Sequence, residues 1–479
     1  MRSGGLLLAC LALVGCGGGG ATEAPAPTEA PAPTTEPAAP TPTEVPTTPT
    51  SAQAASSIVS RAPTPATGCP ATDPSAFALP GTVHSSNIDG PETLDRAGSP
   101  HRFPDGVTIT GATLAIEPCT LVLVGGTNAI WINGTLLAQG DAEHPIRFDA
   151  ADPAAQRGSW GGLYFGENAT NSSRLAYVTI EDAGAGIGYA EPGAIWVDGH
   201  TALSVNEVTI ARAGAHGISL RSTARFAAGS AGLHVTGSGN AEIGAGLVAF
   251  SDDDQVGSLP ELTQQGNDNP EIVVIGDNAR VATTQTWRNP GPGVRYHLRT
   301  EVTIEGPSGP ILTIAPGTTL AFDQGKGIFV GWSADGGLVL DGQSDATRIT
   351  LTSARSVQSP GDWPGVLFGE HVLGPGTRVA WTTVAFAGGD SGWGLPHGCG
   401  QTATGAGLQE REVAIAQIAH VRFESLRPGA AAIWRGLASD QPTDYTAADL
   451  GNEFGDAACA QGFVEPTTGC PDTVPPCGG

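Results

Sequence analysis

The chain has 479 residues, with 22 Lys+Arg against 47 Asp+Glu and a formal charge of −25. It carries 69 glycines and 38 prolines but only 14% charged residues, a mix that excludes a long helical protein or a coiled coil. The acid excess argues against nucleic-acid binding, which needs Lys and Arg clustered on phosphates, and Lys326 is the sole lysine. A Gly-rich, loop-rich, all-β exported protein remains.

Taken in chain order, Arg2 precedes a short apolar run from Leu6 to Val14, followed by Gly15-Cys16. That is the pattern of a secretory signal, too short to span a bilayer. Leu13-Val14-Gly15-Cys16 resembles the lipobox of bacterial lipoproteins. The resemblance implies that 1–15 are removed and Cys16 is acylated, giving an exported lipoprotein of the outer membrane or cell surface. Each buried acyl CH₂ would contribute roughly 0.8 kcal/mol to anchoring. Residues 16–66 then form the acylated cysteine and a linker of Pro/Thr/Ala/Glu repeats such as Pro25-Ala26-Pro27-Thr28-Glu29. Nothing in it can bury enough apolar surface to offset chain entropy, so a disordered, extended tether is expected.

Six cysteines remain beyond Cys10 and Cys16: Cys69, Cys119, Cys399, Cys459, Cys470 and Cys477. An even number in an exported chain points to disulfides, and the spacing lacks the close pairs of a zinc site.

The body is duplicated. Leu114-Ala115-Ile116-Glu117-Pro118-Cys119-Thr120-Leu121 returns as Leu312-Thr313-Ile314-Ala315-Pro316-Gly317-Thr318-Thr319-Leu320, and Ile130-Trp131-Ile132 as Ile328-Phe329-Val330. Trp160-Gly161-Gly162-Leu163-Tyr164-Phe165-Gly166-Glu167 answers Trp363-Pro364-Gly365-Val366-Leu367-Phe368-Gly369-Glu370, and Glu181-Asp182 is replaced by Ala385-Phe386. Within a copy, Val178 is followed by Val208 and Ile195-Trp196-Val197 by Ile218-Ser219-Leu220, each in a short strand-like run bounded by turn residues. No helical period lasts long enough for a crossover helix. Short parallel strands repeating every twenty to thirty residues fit the coils of a solenoid, and no set of equal four-strand blades supports a propeller.

The phrases around Leu312-Thr313-Ile314-Ala315-Pro316-Gly317, Gly337-Leu338 and Trp363-Pro364-Gly365 resemble the right-handed parallel β-helix proteins of bacterial surfaces, the pectate-lyase-like fold. The resemblance implies a cap and first copy over 67–240, connecting coils and a loop over 241–301, a second copy over 302–455 and a Cys/Pro/Gly-rich tail over 456–479. It implies fold rather than function, because such solenoids carry lyases, hydrolases, adhesins and non-catalytic surface proteins. Cys119 stands where the second copy has Gly317, and Cys69 is its nearest partner in sequence. Cys459, Cys470 and Cys477 are expected to staple the far end to the Cys399 loop.

For chemistry, sugar-processing sites use paired carboxylates or calcium-bound carboxylates. Stacking in register would place Asp182 beside Arg212, next to Glu181, with Trp196 and His216 near the same turn. An inter-coil ion pair of this kind reads more readily as an ordinary surface contact than as a saccharide site. Asp252, Asp253 and Asp254, with Asn267-Asp268-Asn269 downstream, offer hard oxygens for calcium, but the EF-hand spacing is absent and a solvated loop between the copies is the favoured reading. Trp332 and Trp393 sit in Gly-rich loops where either is placed to stack on a sugar or to close a coil. Trp160, Trp363, Glu167 and Glu370 occupy matching positions and read as architecture. No nucleophile elbow, HExxH, P-loop or dinucleotide fingerprint occurs, so no cofactor other than calcium is expected. The expected function is non-catalytic binding of glycans or envelope proteins by a lipid-anchored β-helix. A polysaccharide lyase or hydrolase acting through acids of the first copy, and a purely structural envelope protein, are the alternatives.

Overall fold

A computed structural model describes residues 69–186, 188, 191–276, 280–389, 406–410, 415–435, 444–455, 457 and 459–463. The calls on Cys16, Trp393, Cys399, Cys470 and Cys477 lie outside these residues, as does the side chain of Cys459. The described body is a parallel β-helix in which the paired strands of every ladder run parallel.

Its strands form three faces, the third running through Glu92–Leu94, 113–116, 135–139 and the N-terminal halves of Arg174–Glu181 and Ala202–Ala211. The first runs through His101–Phe103, Leu121–Val124 and Ile146–Ala150, then through the C-terminal halves of Arg174–Glu181 and Ala202–Ala211, and on to Ala231–Thr236 and Leu262–Gln265. The second begins at 107–110 and passes through Gly162–Phe165, Gly193–Val197, His216–Leu220, Val248–Phe250, Glu271–Val274 and Arg295–Leu298. It continues into Thr319–Phe322, Ile349–Ser353, Thr382–Ala385 and Arg422–Glu424. The two spacings read from sequence are true ladder registers: Val178 pairs with Val208 and Ile195 with Ile218.

Alternation explains the core. On the second face, Ile109, Ile132, Phe165, Val197, Leu220, Phe250, Val274, Leu298 and Phe322 fall in one inward column, and all belong to the main buried cluster. Each such side chain is worth roughly 1.5–3 kcal/mol of burial. Corners are made by single left-handed residues. Tyr177, Glu207 and Gly232, with φ of 50°, 51° and 63°, stack where the chain leaves the third face for the first. One left-handed residue bends the chain sharply without breaking the ladders on either side. At Gly232 a Cβ would lie 2.3 Å from the Glu207 carboxylate, so a larger residue there would displace that side chain.

The two copies are not stacked in phase. Leu121–Val124 lies on the first face, yet its counterpart Thr319–Phe322 lies on the second. The partner of Ala129–Gln139, the strand Ile328–Val330, starts a separate ladder with Val302–Ile304, Val366–Phe368, Ala406–Glu410 and Ala431–Arg435. The repeat is therefore offset by one face of the solenoid as well as by its length.

At the N-terminal end a disulfide joins Cys69 to Cys119 with Cα atoms 4.9 Å apart, as the sequence comparison anticipates. Cys119 has φ 68° and Gly317 φ 77°, so the equivalent turn is left-handed in both copies.

Candidate functional site

On the first face, three successive rungs bring five charged side chains together. Arg147 and Asp149 come from Ile146–Ala150, Glu181 ends Arg174–Glu181, and Asp182 and Arg212 occupy left-handed corners with φ of 54° and 53°. Glu181 pairs with Ala211 across the ladder, which sets the following Asp182 beside Arg212. The Arg212 guanidinium donates to both oxygens of Asp182 at 2.8 and 2.7 Å and lies 2.9 Å from Glu181. Arg147 donates to Asp149 at 3.1 and 2.6 Å, lies 3.3 Å from Glu181 and stacks over the Phe77 ring. Burial holds the Asp149 carboxyl up, at about 6, against the pull of Arg147, and the Glu181 charge adds to the rise. The hydrogen bonds it donates to Asp182 hold the Arg212 guanidinium firmly charged, its pKa raised.

The sequence brought Glu181, Asp182 and Arg212 together correctly but missed Arg147 and Asp149. Their signal was the same alternation one coil earlier, since Phe148 pairs with Ile180. Chemically the group is a closed network. Asp149 also accepts from the Ala150 N–H at 2.7 Å, and both Asp182 oxygens are occupied by Arg212. A carboxyl held near 6 with a second carboxyl on the neighbouring rung is nevertheless the arrangement from which acid–base pairs are made.

His216 belongs to a different group. Its Nδ1 accepts from the Gly246 N–H at 2.9 Å, so its Nε2 carries the proton donated to Glu191 at 2.7 Å. Arg299 reaches the other Glu191 oxygen at 3.1 Å and also donates to the Gly244 carbonyl. The His216 hydrogen bond, opposed by burial, holds Glu191 below the usual carboxylate range. With both ring nitrogens engaged and the ring fully buried, His216 has no lone pair to offer a substrate.

Trp131, Tyr164 and Trp196 fall in one outward row of the second face, with ring centroids 4.9 and 5.5 Å apart. Trp196 is only 6% exposed, so its ring faces a neighbouring ring rather than an open groove. Trp332 is 38% exposed and meets Phe329 edge-on at 5.9 Å. Trp160 and Trp363 are fully buried and donate their indole N–H groups to Glu181 and Ala385, matched positions of the two copies, each at 2.7 Å. That shared bond is the architectural role their repetition suggests.

The aspartate run does not behave as a solvated loop. It opens the short helical turn Asp253–Ser258; Asp252 caps it, and Asp254 accepts from Ala282 and Thr283 N–H groups at 2.9 and 2.8 Å. Asp253 lies between them fully buried, and among the described residues neither of its oxygens has a hydrogen-bond partner. Burial, with Asp252 and Asp254 beside it, pushes it up to about 8. Among the described residues no group of three or more His, Cys, Asp or Glu is placed to hold a metal ion.

Between the two copies lies a network the sequence did not flag. His297 donates from Nδ1 to Glu271 and from Nε2 to Asp323, each at 2.8 Å, while Arg295 holds the second Glu271 oxygen at 2.8 and 2.6 Å. Burial works against the charged ring, but the two carboxylates overcome it and raise His297 to about 9. Burial likewise opposes ionised Glu271, and His297 and Arg295 bring it down to about 2.

Comparison of the chain with protein-family models, curated proteins and solved structures gives no match.

Proposed function

We propose that this chain is a non-catalytic β-helix lipoprotein, anchored through Cys16, whose solenoid faces bind glycans or neighbouring envelope proteins. What favours this reading over catalysis is the state of the carboxylates. Asp149, Glu181 and Asp182 are spent on Arg147 and Arg212, and Glu191 on His216 and Arg299. A general acid or nucleophile must instead be free to face substrate. Trp332, the more exposed of the two described candidate tryptophans, is the ring offered for sugar stacking.

The test is a panel of acidic and neutral polysaccharides against the full chain, with and without Ca²⁺, reading binding and chain cleavage together. Binding without cleavage, weakened several-fold by Trp332→Ala, is expected. Cleavage of any polymer overturns the reading.

A second reading, a polysaccharide lyase or hydrolase, draws on the Asp149 carboxyl held near 6 beside Glu181. It requires that Glu181→Ala and Asp149→Asn each abolish turnover in a protein that still folds. A purely structural envelope role is what silence on both binding and cleavage favours.

A further inference from the structure

The outermost strand of the N-terminal end, Thr82–Val83, is two residues long and pairs with His101–Phe103. Two residues of parallel ladder hold little by themselves, and the next residue adds a side-chain contact of unusual kind. The Nε2 of His84 lies 2.9 Å from the Nδ1 of His101, and the ring centroids are 5.2 Å apart, so the rings meet end to end. On its far side His101 faces the Asp95 carbonyl oxygen at 2.7 Å through Nε2. A carbonyl only accepts, so Nε2 keeps its proton and Nδ1 presents a lone pair. The shared bond therefore runs one way, from the His84 Nε2–H to the His101 Nδ1. His84 in turn stacks on Phe103 at 4.6 Å, with its Nδ1 3.2 Å from Glu92. The remaining carboxylate at this place, Asp95, is turned to the Gly98 N–H at 2.5 Å.

We propose that His84 and His101 form an acid-released latch that holds residues 81–87 as the closing strand over the end of the first face. The bond depends on a lone pair. Once both rings are protonated no lone pair remains between them: two N–H groups point at each other across 2.9 Å and two cations share a confined space. An attractive contact becomes a repulsive one.

Opening is local because both flanks are fixed. Upstream, the Cys69–Cys119 disulfide and hydrogen bonds from Arg102 to the carbonyls of Phe77, Leu79 and Pro80 hold the cap. Downstream, Ile88 is bridged to Ile109. Release frees the Thr82 and His84 amides, which donate to Pro100 and Arg102, and uncovers the edge of His101–Phe103. An uncovered edge is a template for another strand, so the latch also governs whether this end is open to pairing.

The pH window follows from the sign. Burial, countered in part by the Asp95 carbonyl, holds His101 below the usual histidine value. The unfolded segment thus binds the proton more readily than the latched one. The latch is intact above about pH 6.5, the ordinary histidine value, and weakens as pH falls below it.

Amide hydrogen exchange on the full chain, followed from pH 7.5 to 4.5 and corrected for the intrinsic chemical rate, tests this. Peptides covering 81–87 are expected to lose protection, by up to about tenfold for each pH unit below about 6.5 until the latched His101 itself titrates, while peptides covering 130–165 do not. His101→Gln keeps an acceptor for His84 and a donor for Asp95 without titrating, and should remain protected throughout. A wild-type profile without the step, or the same step in His101→Gln, overturns the latch. If that variant fails to fold, His84→Phe decides: it should leave 81–87 open at every pH, and retained protection with the step still present refutes the proposal.

Discussion

Asp253 is a carboxyl group placed where a hydrocarbon is expected. It is fully buried, its oxygens have no hydrogen-bond partner among the described residues, and two other aspartates adjoin it in sequence. With its pKa raised to about 8, it folds in the protonated form, while in the unfolded chain it ionises near the ordinary value of about 3.9. The unfolded state therefore holds fewer protons between those values, and Asp253 costs stability increasingly as pH rises from about 4 to 8. Asp253→Asn should be near neutral at pH 4 and stabilise by about 1 kcal/mol or more at pH 7, read as a shift in denaturant midpoint at constant slope. A pH-independent difference would mean the group is ionised in the fold. Its neighbours Asp252 and Asp254 answer to local hydrogen bonds, which a composition reading of three acids in a row cannot separate.

At the scale of elements, the junction of the copies is held by His297 between Glu271 and Asp323. The sign of its contribution runs both ways. The raised His297 contributes fully below about pH 6.5 and loses its contribution as pH climbs through about 9. Glu271 contributes above about pH 4.3 and fails as pH falls towards about 2. The junction is strongest between about pH 4.5 and 6.5, and His297→Gln should lower stability there by about 1–3 kcal/mol, with the deficit shrinking above pH 9. Urea unfolding of both forms at pH 6 and pH 9.5 checks this. The Cys69–Cys119 bond closes a segment with a sequence separation of 50. Replacing both cysteines by Ser should cost about 4 kcal/mol on chain-entropy grounds, with loss confined first to the N-terminal cap. Unchanged exchange in 69–103 would show that the cap is held by Arg102 and the ladders alone.

For the whole molecule, 47 Asp and Glu against 22 Lys and Arg leave a charge of −25. Arg147, Arg212, Arg295 and Arg435 are each paired with a carboxylate of the solenoid. If the proposed glycan binding holds, neutral polymers should bind more tightly than polyuronates at low salt. The gap should narrow as ionic strength rises and the Debye length falls below about 10 Å. A salt-independent preference for polyuronates would contradict that electrostatic account.

The sequence by itself determined the parallel coil, its strand alternation, the duplication, the Cys69–Cys119 pair and the neighbouring Asp182 and Arg212. All of these are local or ladder properties, since a spacing of 23 or 30 residues between matching β patterns translates directly into register. Only the tertiary structure decided which face each copy occupies. Leu121–Val124 and Thr319–Phe322 share a sequence pattern, whereas their faces depend on how many strands the chain lays down between them. The same holds for Glu191 with His216 and Arg299, and for His84 with His101. These partners meet because corners and loops fold back across the coils, and no periodicity in the chain encodes how far a loop reaches.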